Sequence, residues 1–230
     1  MAFGNGPSVV TNGLVLALDA ADRNSYPGSG TVWNDLSGNN ITGSITGSFT
    51  FPTYSSSNNG TLVFNGTTTI ADFRNPSTLQ ITSGSISIWF RAVQAPVVGN
   101  GGGFNGLITK QGAWGLFISG SLLVAYDWGS GATRATTANV SDFNWYNACM
   151  TFSETVGTPS NNAIVYLNGT TILTTTIRNS FQSTGLQIGN GGNAQQYLSG
   201  SVGSAQIYNR VLSAAEVLQN YNTQKSRFNL

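Results

Sequence analysis

The 230-residue chain contains no histidine. That excludes Ser–His–Asp and Cys–His nucleophilic catalysis, histidine metal sites and the usual near-neutral proton shuttle. A single cysteine, Cys149, leaves no intrachain disulfide and no thiolate metal cluster. Charge is almost as scarce. Asp, Glu, Lys and Arg make up 7% of the residues, against about 25% in an ordinary soluble domain. Lys110 and Lys225 are the only lysines, and nine basic against eight acidic side chains give a net charge of +1. A nucleic-acid surface needs clustered Lys and Arg to neutralise phosphates, so nucleic acid is not an expected partner. The longest apolar run, Leu14 to Leu18, is too short to cross a bilayer, and no membrane is expected either. The first seven residues, Met1 to Pro7, carry neither a basic nor an apolar stretch and are not expected to be a leader.

Glycine, with 29 residues, and the hydroxyl and amide side chains of Ser, Thr and Asn take the place of charge. Aromatics at 11% supply bulk, and low net charge with many aromatics is not the disorder signature. A chain of this length buries about 70% of its extended surface, enough for one full core. No fixed-period repeat or linker divides it, so one domain over residues 13–230 follows an N-terminal arm, residues 1–12.

Short apolar or alternating runs separated by turn residues predict strands. They cover Gly13 to Asp19, Gly60 to Asn65, Ser85 to Arg91, Gly106 to Lys110, Trp114 to Ile118, Ser121 to Tyr126 and Trp145 to Phe152. Asn161 to Leu167, Thr170 to Thr176, Ser183 to Gly189 and Gly200 to Tyr208 complete the set. In Ser85 to Arg91, Ile86, Ile88 and Phe90 alternate with Ser85, Ser87, Trp89 and Arg91, the mark of a half-buried strand. Tyr146, Ala148, Met150 and Phe152 likewise fall opposite Cys149, which reads as a buried apolar filler. Asn168-Gly169 favours the positive φ angles of a type I′ hairpin turn. About ten to fourteen strands at this spacing indicate a β-sandwich first and a barrel second.

One helix has a signature. Ser213-Ala-Ala-Glu216 is a capping box, with Leu212 and Val217 as its hydrophobic staple. The pattern predicts a helix from Ala214 to about Asn222, with Val217, Leu218 and Tyr221 facing the sheet.

Several segments carry a family likeness: Gly13 to Ala20, Ser25-Tyr-Pro-Gly28, Trp33 to Asn39, Leu62-Val-Phe-Asn-Gly66, Ser85 to Phe90, Trp145 to Phe152 and Val165-Tyr-Leu-Asn-Gly169. Gly203 to Glu216, Gln219 to Asn222 and Arg227-Phe228 close the pattern. Together they resemble laminin G-like domains of the concanavalin A-like lectin/glucanase superfamily, of the type found in tailed-phage virion proteins. The resemblance implies an all-β, two-sheet antiparallel jelly-roll sandwich with one short C-terminal helix, its final strand near its first. It leaves the activity open, because function sits in loops grafted on the fold.

Retaining glucanases of this fold set two carboxylates about 5 Å apart. Here the only glutamates are Glu154, without an Asp or Glu two or four residues away, and Glu216, in the capping box. The chain is therefore expected not to be an enzyme. Asp19, Asp22 and Asp35, with the oxygens of Asn39, are the calcium candidates, weighed against a local role as turn initiators. No cofactor is expected beyond that ion. Trp114, Tyr126 and Trp128 are the glycan candidates, with Asn100 to Asn105 near them in sequence, whereas Trp33, Trp89 and Trp145 read as packing residues. Val98 to Phe104 is Gly-rich but lacks the Gly-Lys-Ser/Thr ending of a phosphate loop.

The resemblance and the low charge point first to a capsid decoration protein on a phage particle, partnered by the major capsid protein, other virion proteins and copies of itself. Residues 1–12, 98–106 and 225–230 are then the expected assembly contacts. The alternative is a carbohydrate-binding adhesion module, of a tail fibre or a secreted lectin, that meets cell-surface glycans.

Overall fold

A computed structural model of the chain describes residues 8–47, 51–93, 102–153, 160–180, 183–192 and 195–230. Glu154, residues 1–7 of the arm and residues 98–101 of the Gly-rich stretch lie outside them. Among the described residues sixteen strands, numbered in chain order, form two antiparallel eight-stranded sheets. The first holds β1 (Leu14–Asp19), β4 (Thr53–Ser55), β5 (Thr61–Asn65), β7 (Ser83–Ala92), β12 (Trp145–Ser153), β13 (Ala163–Leu167), β14 (Thr170–Thr175) and β16 (Ser199–Tyr208). Its order is β14-β13-β12-β7-β16-β5-β4, and β1 also pairs with β16, beside residues 204–208, while β5 pairs with the strand's first half. The second holds β2 (Val32–Asn34), β3 (Thr42–Thr46), β6 (Ile70–Asp72), β8 (Phe104–Lys110), β9 (Trp114–Ser119), β10 (Leu122–Asp127), β11 (Ala132–Asn139) and β15 (Leu186–Ile188), in the order β11-β10-β9-β8-β15-β6-β3-β2.

Register explains the core. Ile207, Ile86, Met150, Val165 and Leu173 stand opposite one another across β16, β7, β12, β13 and β14. Ile45, Ala71, Ile188, Ile108, Leu116 and Ala125 form the matching row on the second sheet. Both rows belong to one apolar cluster between the sheets. The strand count exceeds the expected ten to fourteen because β2, β4 and β6 have three residues each and β3 and β11 are rich in threonine and serine. The Asn168-Gly169 hairpin has φ angles of 51° and 76°, and Tyr166 pairs with Thr171 next to it.

β7 departs from the half-buried reading: both of its faces are covered. The C-terminal helix α1 (Ala214–Gln224) and the turn Lys225–Phe228 lie over its outer side. Trp89 stacks on Tyr221 at 5.6 Å and on Phe228 at 4.3 Å, and Phe228 also meets Trp145 at 4.6 Å. Gly203 of β16 makes room for this packing, since a Cβ there would lie 2.6 Å from Phe228 Cζ. The outward serines are satisfied as well. Ser85 Oγ donates to Arg210 O (2.9 Å) and accepts from Leu212 N (2.8 Å), and Asn147 Nδ2 donates to Ser87 Oγ (3.0 Å).

The helix meets the sheet through Val217, Asn220 and, as expected, Tyr221. Leu218, expected to face inward, is 44% exposed. Asn220 takes the inward position because it closes a three-way link: its Oδ1 accepts from Val10 N (2.8 Å), its Nδ2 donates to the Tyr208 hydroxyl (3.0 Å), and that hydroxyl donates to Val10 O (3.0 Å). Ser8 and Val10 are thus tied to the chain's own helix. The tail is held likewise, with Arg227 Nη1 ion-paired to Asp19 (2.6 Å) and Nε donating to Asn58 O (2.7 Å). Cys149 lies under the helix with Tyr166, Tyr208, Leu212 and Val217, and burial pushes its thiol up to about 12.

The capping box is formed: Glu216 N donates to Ser213 Oγ, and Glu216 Oε2 accepts from Ser213 N at 2.9 Å. Arg210 grips both oxygens of Glu216, at 3.0 and 2.6 Å. These contacts, the Arg210 hydrogen bond first, hold the Glu216 carboxyl down at about 2. A depressed carboxylate stabilises the fold above its ordinary value of 4.5 and loses that contribution as the pH falls toward 2. Ser213→Ala is expected to cost about 1 kcal/mol in urea unfolding. The stability gap between the native chain and Glu216→Gln is expected to close between pH 4.5 and 2; a gap independent of pH would mean that the ion pair contributes nothing.

Candidate functional site

Strand alternation on the second sheet sends Trp114, Leu116 and Ile118 of β9 into the core and turns Gly115 and Phe117 outward. The same alternation places Phe104 of β8 and Tyr126 of β10 on the outer face. Trp128 follows in the turn after β10. Phe117 is the hub, with ring centroids 5.9 Å from Phe104, 6.3 Å from Tyr126 and 5.8 Å from Trp128. Tyr126 and Trp128 meet edge to face at 5.0 Å and 65°. Gly115 leaves the indole its space, because a Cβ there would sit 3.2 Å from Trp128 Cη2.

The opposite wall is a segment that crosses over β8 at Gly106. A Cβ at Gly106 would lie 2.2 Å from Asn190 C, so only glycine lets the backbones pass. Gly106 N donates to Gln196 O (2.8 Å) and Thr109 Oγ1 to Asn190 O (2.6 Å). Asn190 organises the segment from within, donating to Gln187 Oε1 (2.9 Å) and accepting from Gln196 N (2.9 Å). Between the two walls is a cleft of about 290 Å³ lined by Phe104, Gln111, Phe117, Tyr126, Trp128, Gly191 and Gln196. It offers aromatic surface and two amide side chains, and none of its lining residues is charged.

The turn that carries Trp128 is anchored below the cleft. Asp127 is fully buried and pairs with Arg134 at 2.6 Å and Arg178 at 2.9 Å. It also accepts from Ser130 Oγ (2.7 Å) and Arg178 N (2.8 Å), and Gly129 N donates to Arg178 O (2.9 Å). Burial alone raises the Asp127 carboxyl, but the hydrogen bonds from Arg134, Ser130 and the Arg178 amide outweigh it and leave the group below its ordinary value. Asp127 is therefore a locked anion beneath the cleft.

Of the three glycan candidates, the structure brings Tyr126 and Trp128 together. Trp114 is a correction: it is fully buried against Phe152, on the opposite face from Phe117, because three residues along a strand reverse the side-chain direction. Asn105 is buried and Asn100 lies outside the described residues. Phe104, Phe117, Gln111 and Gln196 were not singled out by the sequence; the outward parity of Phe117 and Tyr126 was the available signal. The calcium candidates each serve local backbone. Asp19 Oδ1 accepts from Ala21 N, Asp22 Oδ1 from Asn24 N, and Asp35 Oδ1 from both Ala17 N and Ser37 N, all at 2.8 Å. The Asn39 side chain donates to Val15 O and Ser37 Oγ. Among the described residues, no three His, Cys, Asp or Glu side chains are grouped to hold a metal ion.

A laminin G-type sequence profile of the concanavalin A-like lectin/glucanases superfamily matches residues 65–218. The chain belongs to that superfamily. Solved structures agree on the fold. A Trypanosoma rangeli sialidase in complex with sialic acid superposes with a TM-score of 0.68 at 17% identity, over 99% of this chain and 35% of that one. The binding domain of Paraclostridial Mosquitocidal Protein 1 gives 0.64 at 16%, over 93% and 52%. Domain 4 of AbnA, a GH43 extracellular arabinanase from Geobacillus stearothermophilus, in complex with arabinotriose, gives 0.65 at 15%, over 90% and 98%. This superfamily member thus spans about half of the mosquitocidal domain and a third of the sialidase, but nearly all of the arabinanase domain. A comparison with curated proteins finds no match.

Proposed function

We propose that the chain is a carbohydrate-binding module without catalytic activity, and that its site is the cleft between Trp128 and Gln196. The observation that carries this reading is the lining itself: four aromatic rings and two amides, with no charged group. The C–H faces of a sugar pack on aromatic rings, and its hydroxyls need amide donors and acceptors at the rim. A neutral lining suits neutral sugars, since a charged one would enter without a counter-ion. Asp127, the carboxylate next to Trp128, is fully buried and held by two arginines, which suits a binding role better than acid–base work. The arabinanase domain, similar in fold and extent and solved with arabinotriose, supports the reading. The capsid setting expected from the sequence gains no support from the fold or from these likenesses, and the tail expected to make assembly contacts is packed on the chain itself.

Calorimetry against neutral oligosaccharides of arabinose, xylose, galactose and glucose tests the proposal. Binding to at least one series is expected, and Trp128→Ala should weaken it about 10- to 100-fold by removing a stacking face. Tyr126→Phe, which keeps the ring, should cost less than about threefold. We propose further that no calcium is needed, so EDTA should leave the affinity unchanged. Absence of binding across all four series, or hydrolysis of any of them, would sink the reading.

A further inference from the structure

The outer face of the first sheet holds a second cavity that the proposed function does not use. Strand register builds its floor. Val63 stands opposite Ser201, Ser201 opposite Arg91 and Arg91 opposite Trp145, one outward row across β5, β16, β7 and β12. Ser55 of β4, opposite Thr61, and the turn Ser57–Asn59 close one end. The enclosed volume is about 140 Å³, several times what one water needs.

One polar atom of this cavity is buried without a partner among the described residues, Arg91 Nε. Among the described residues the Arg91 guanidinium also joins none of the ion pairs. Thr61 and Ser201, 1% and 6% exposed, bring their hydroxyls to the lining of the same space. Buried polar groups are nearly always paired, so the unpartnered Arg91 Nε–H beside this space is a donor that an acceptor bound there would satisfy. Of these donors, Arg91 decides the ligand's chemistry. A guanidinium has no acceptor atom and keeps its charge, and among the described residues no carboxylate lines the cavity to balance it.

We propose that this cavity binds a small oxyanion, the carboxylate, sulfate or phosphate group of a ligand, on Arg91 with the Thr61 and Ser201 hydroxyls as further donors. The planar fork of Arg91 matches two oxygens of such a group. Trp145 supplies an apolar wall for the carbon skeleton that carries it. The site is independent of the cleft, which lies on the other sheet and has no cation.

The test follows the Arg Nε–H resonances of the full chain by NMR while sodium sulfate, phosphate or glucuronate is added at constant ionic strength, with glucose as the neutral control. The Arg91 resonance should shift saturably with at least one anion and stay still with glucose, and the anion bound most tightly names the group. In calorimetry Arg91→Gln should lower that affinity about 10- to 100-fold, the loss of a charge-assisted hydrogen bond. Binding of neutral oligosaccharides in the cleft should be unchanged in that variant. An Arg91 resonance unmoved by all three anions would overturn the proposal, as would equal affinity in folded Arg91→Gln. Should that variant fail to fold, the native-chain titration and Ser201→Ala, expected to bind several-fold more weakly, decide the matter.

Discussion

Asp127→Asn is expected to lower the unfolding free energy by about 2–4 kcal/mol and to weaken sugar binding in the cleft at the same time. Breaking a fully buried ion pair costs ~3–5 kcal/mol, because the remaining charge is left without compensation. The figure here is set lower since the side chains of Arg134 and Arg178 are 29% and 35% exposed and can recover water. The second effect follows from position. Asp127 ties β10, β11 and the Arg178 backbone together directly below the turn that presents Trp128. With the charge gone, the indole should lose its fixed place against Phe117 and Tyr126. Urea unfolding and calorimetry measure the two losses separately. Unchanged stability would show that the arginines, and not the carboxylate, hold the turn. Because the carboxyl sits below its ordinary value of 3.8 in the fold, its contribution is present above that pH and lost as the pH falls further.

Trp89→Ala is expected to cost about 3–5 kcal/mol, the usual price of removing a buried large aromatic. Trp89 is 1% exposed and is stacked by both Tyr221 and Phe228, so the loss falls on the contact between the sheet and the C-terminal helix. Hydrogen exchange should show the consequence locally. Amides of α1 and of Lys225–Phe228 should exchange faster, while those of β8, β9 and β10 keep their protection. A loss below about 1 kcal/mol would mean that the helix is held by its cap and by Asn220 rather than by the aromatic stack.

Much of this architecture was legible in the chain. The hairpin at Asn168-Gly169 and the capping box at Ser213 need only residues two or three apart, and both formed as read. The all-β sandwich followed from period-two alternation, and the superfamily from the motifs spread along its length. The errors have physical causes. The polar strands β3 and β11 and the three-residue strands β2, β4 and β6 lack an alternating apolar signal, and they are strands because a neighbour offers them a ladder. Leu218 was assigned to the sheet by hydrophobicity, but a hydrogen-bonded asparagine, Asn220, was aligned there instead. Trp114 was assigned to a binding surface by chemistry alone, when parity with Leu116 and Ile118 already pointed it inward.

The sequence by itself therefore determined which apolar or alternating segments are strands, where the helix starts, and that histidine, intrachain-disulfide and polybasic chemistry are absent. Only the tertiary structure decided which surfaces are covered and which groups meet. Phe104, Phe117 and Gln196 become one cleft, Asp127 reaches Arg178 across 51 residues, and Val63, Ser201, Arg91 and Trp145 fall into one row. The reason is that alternation is a property of a single strand, whereas strand order depends on long-range pairing, which local residue preferences do not encode.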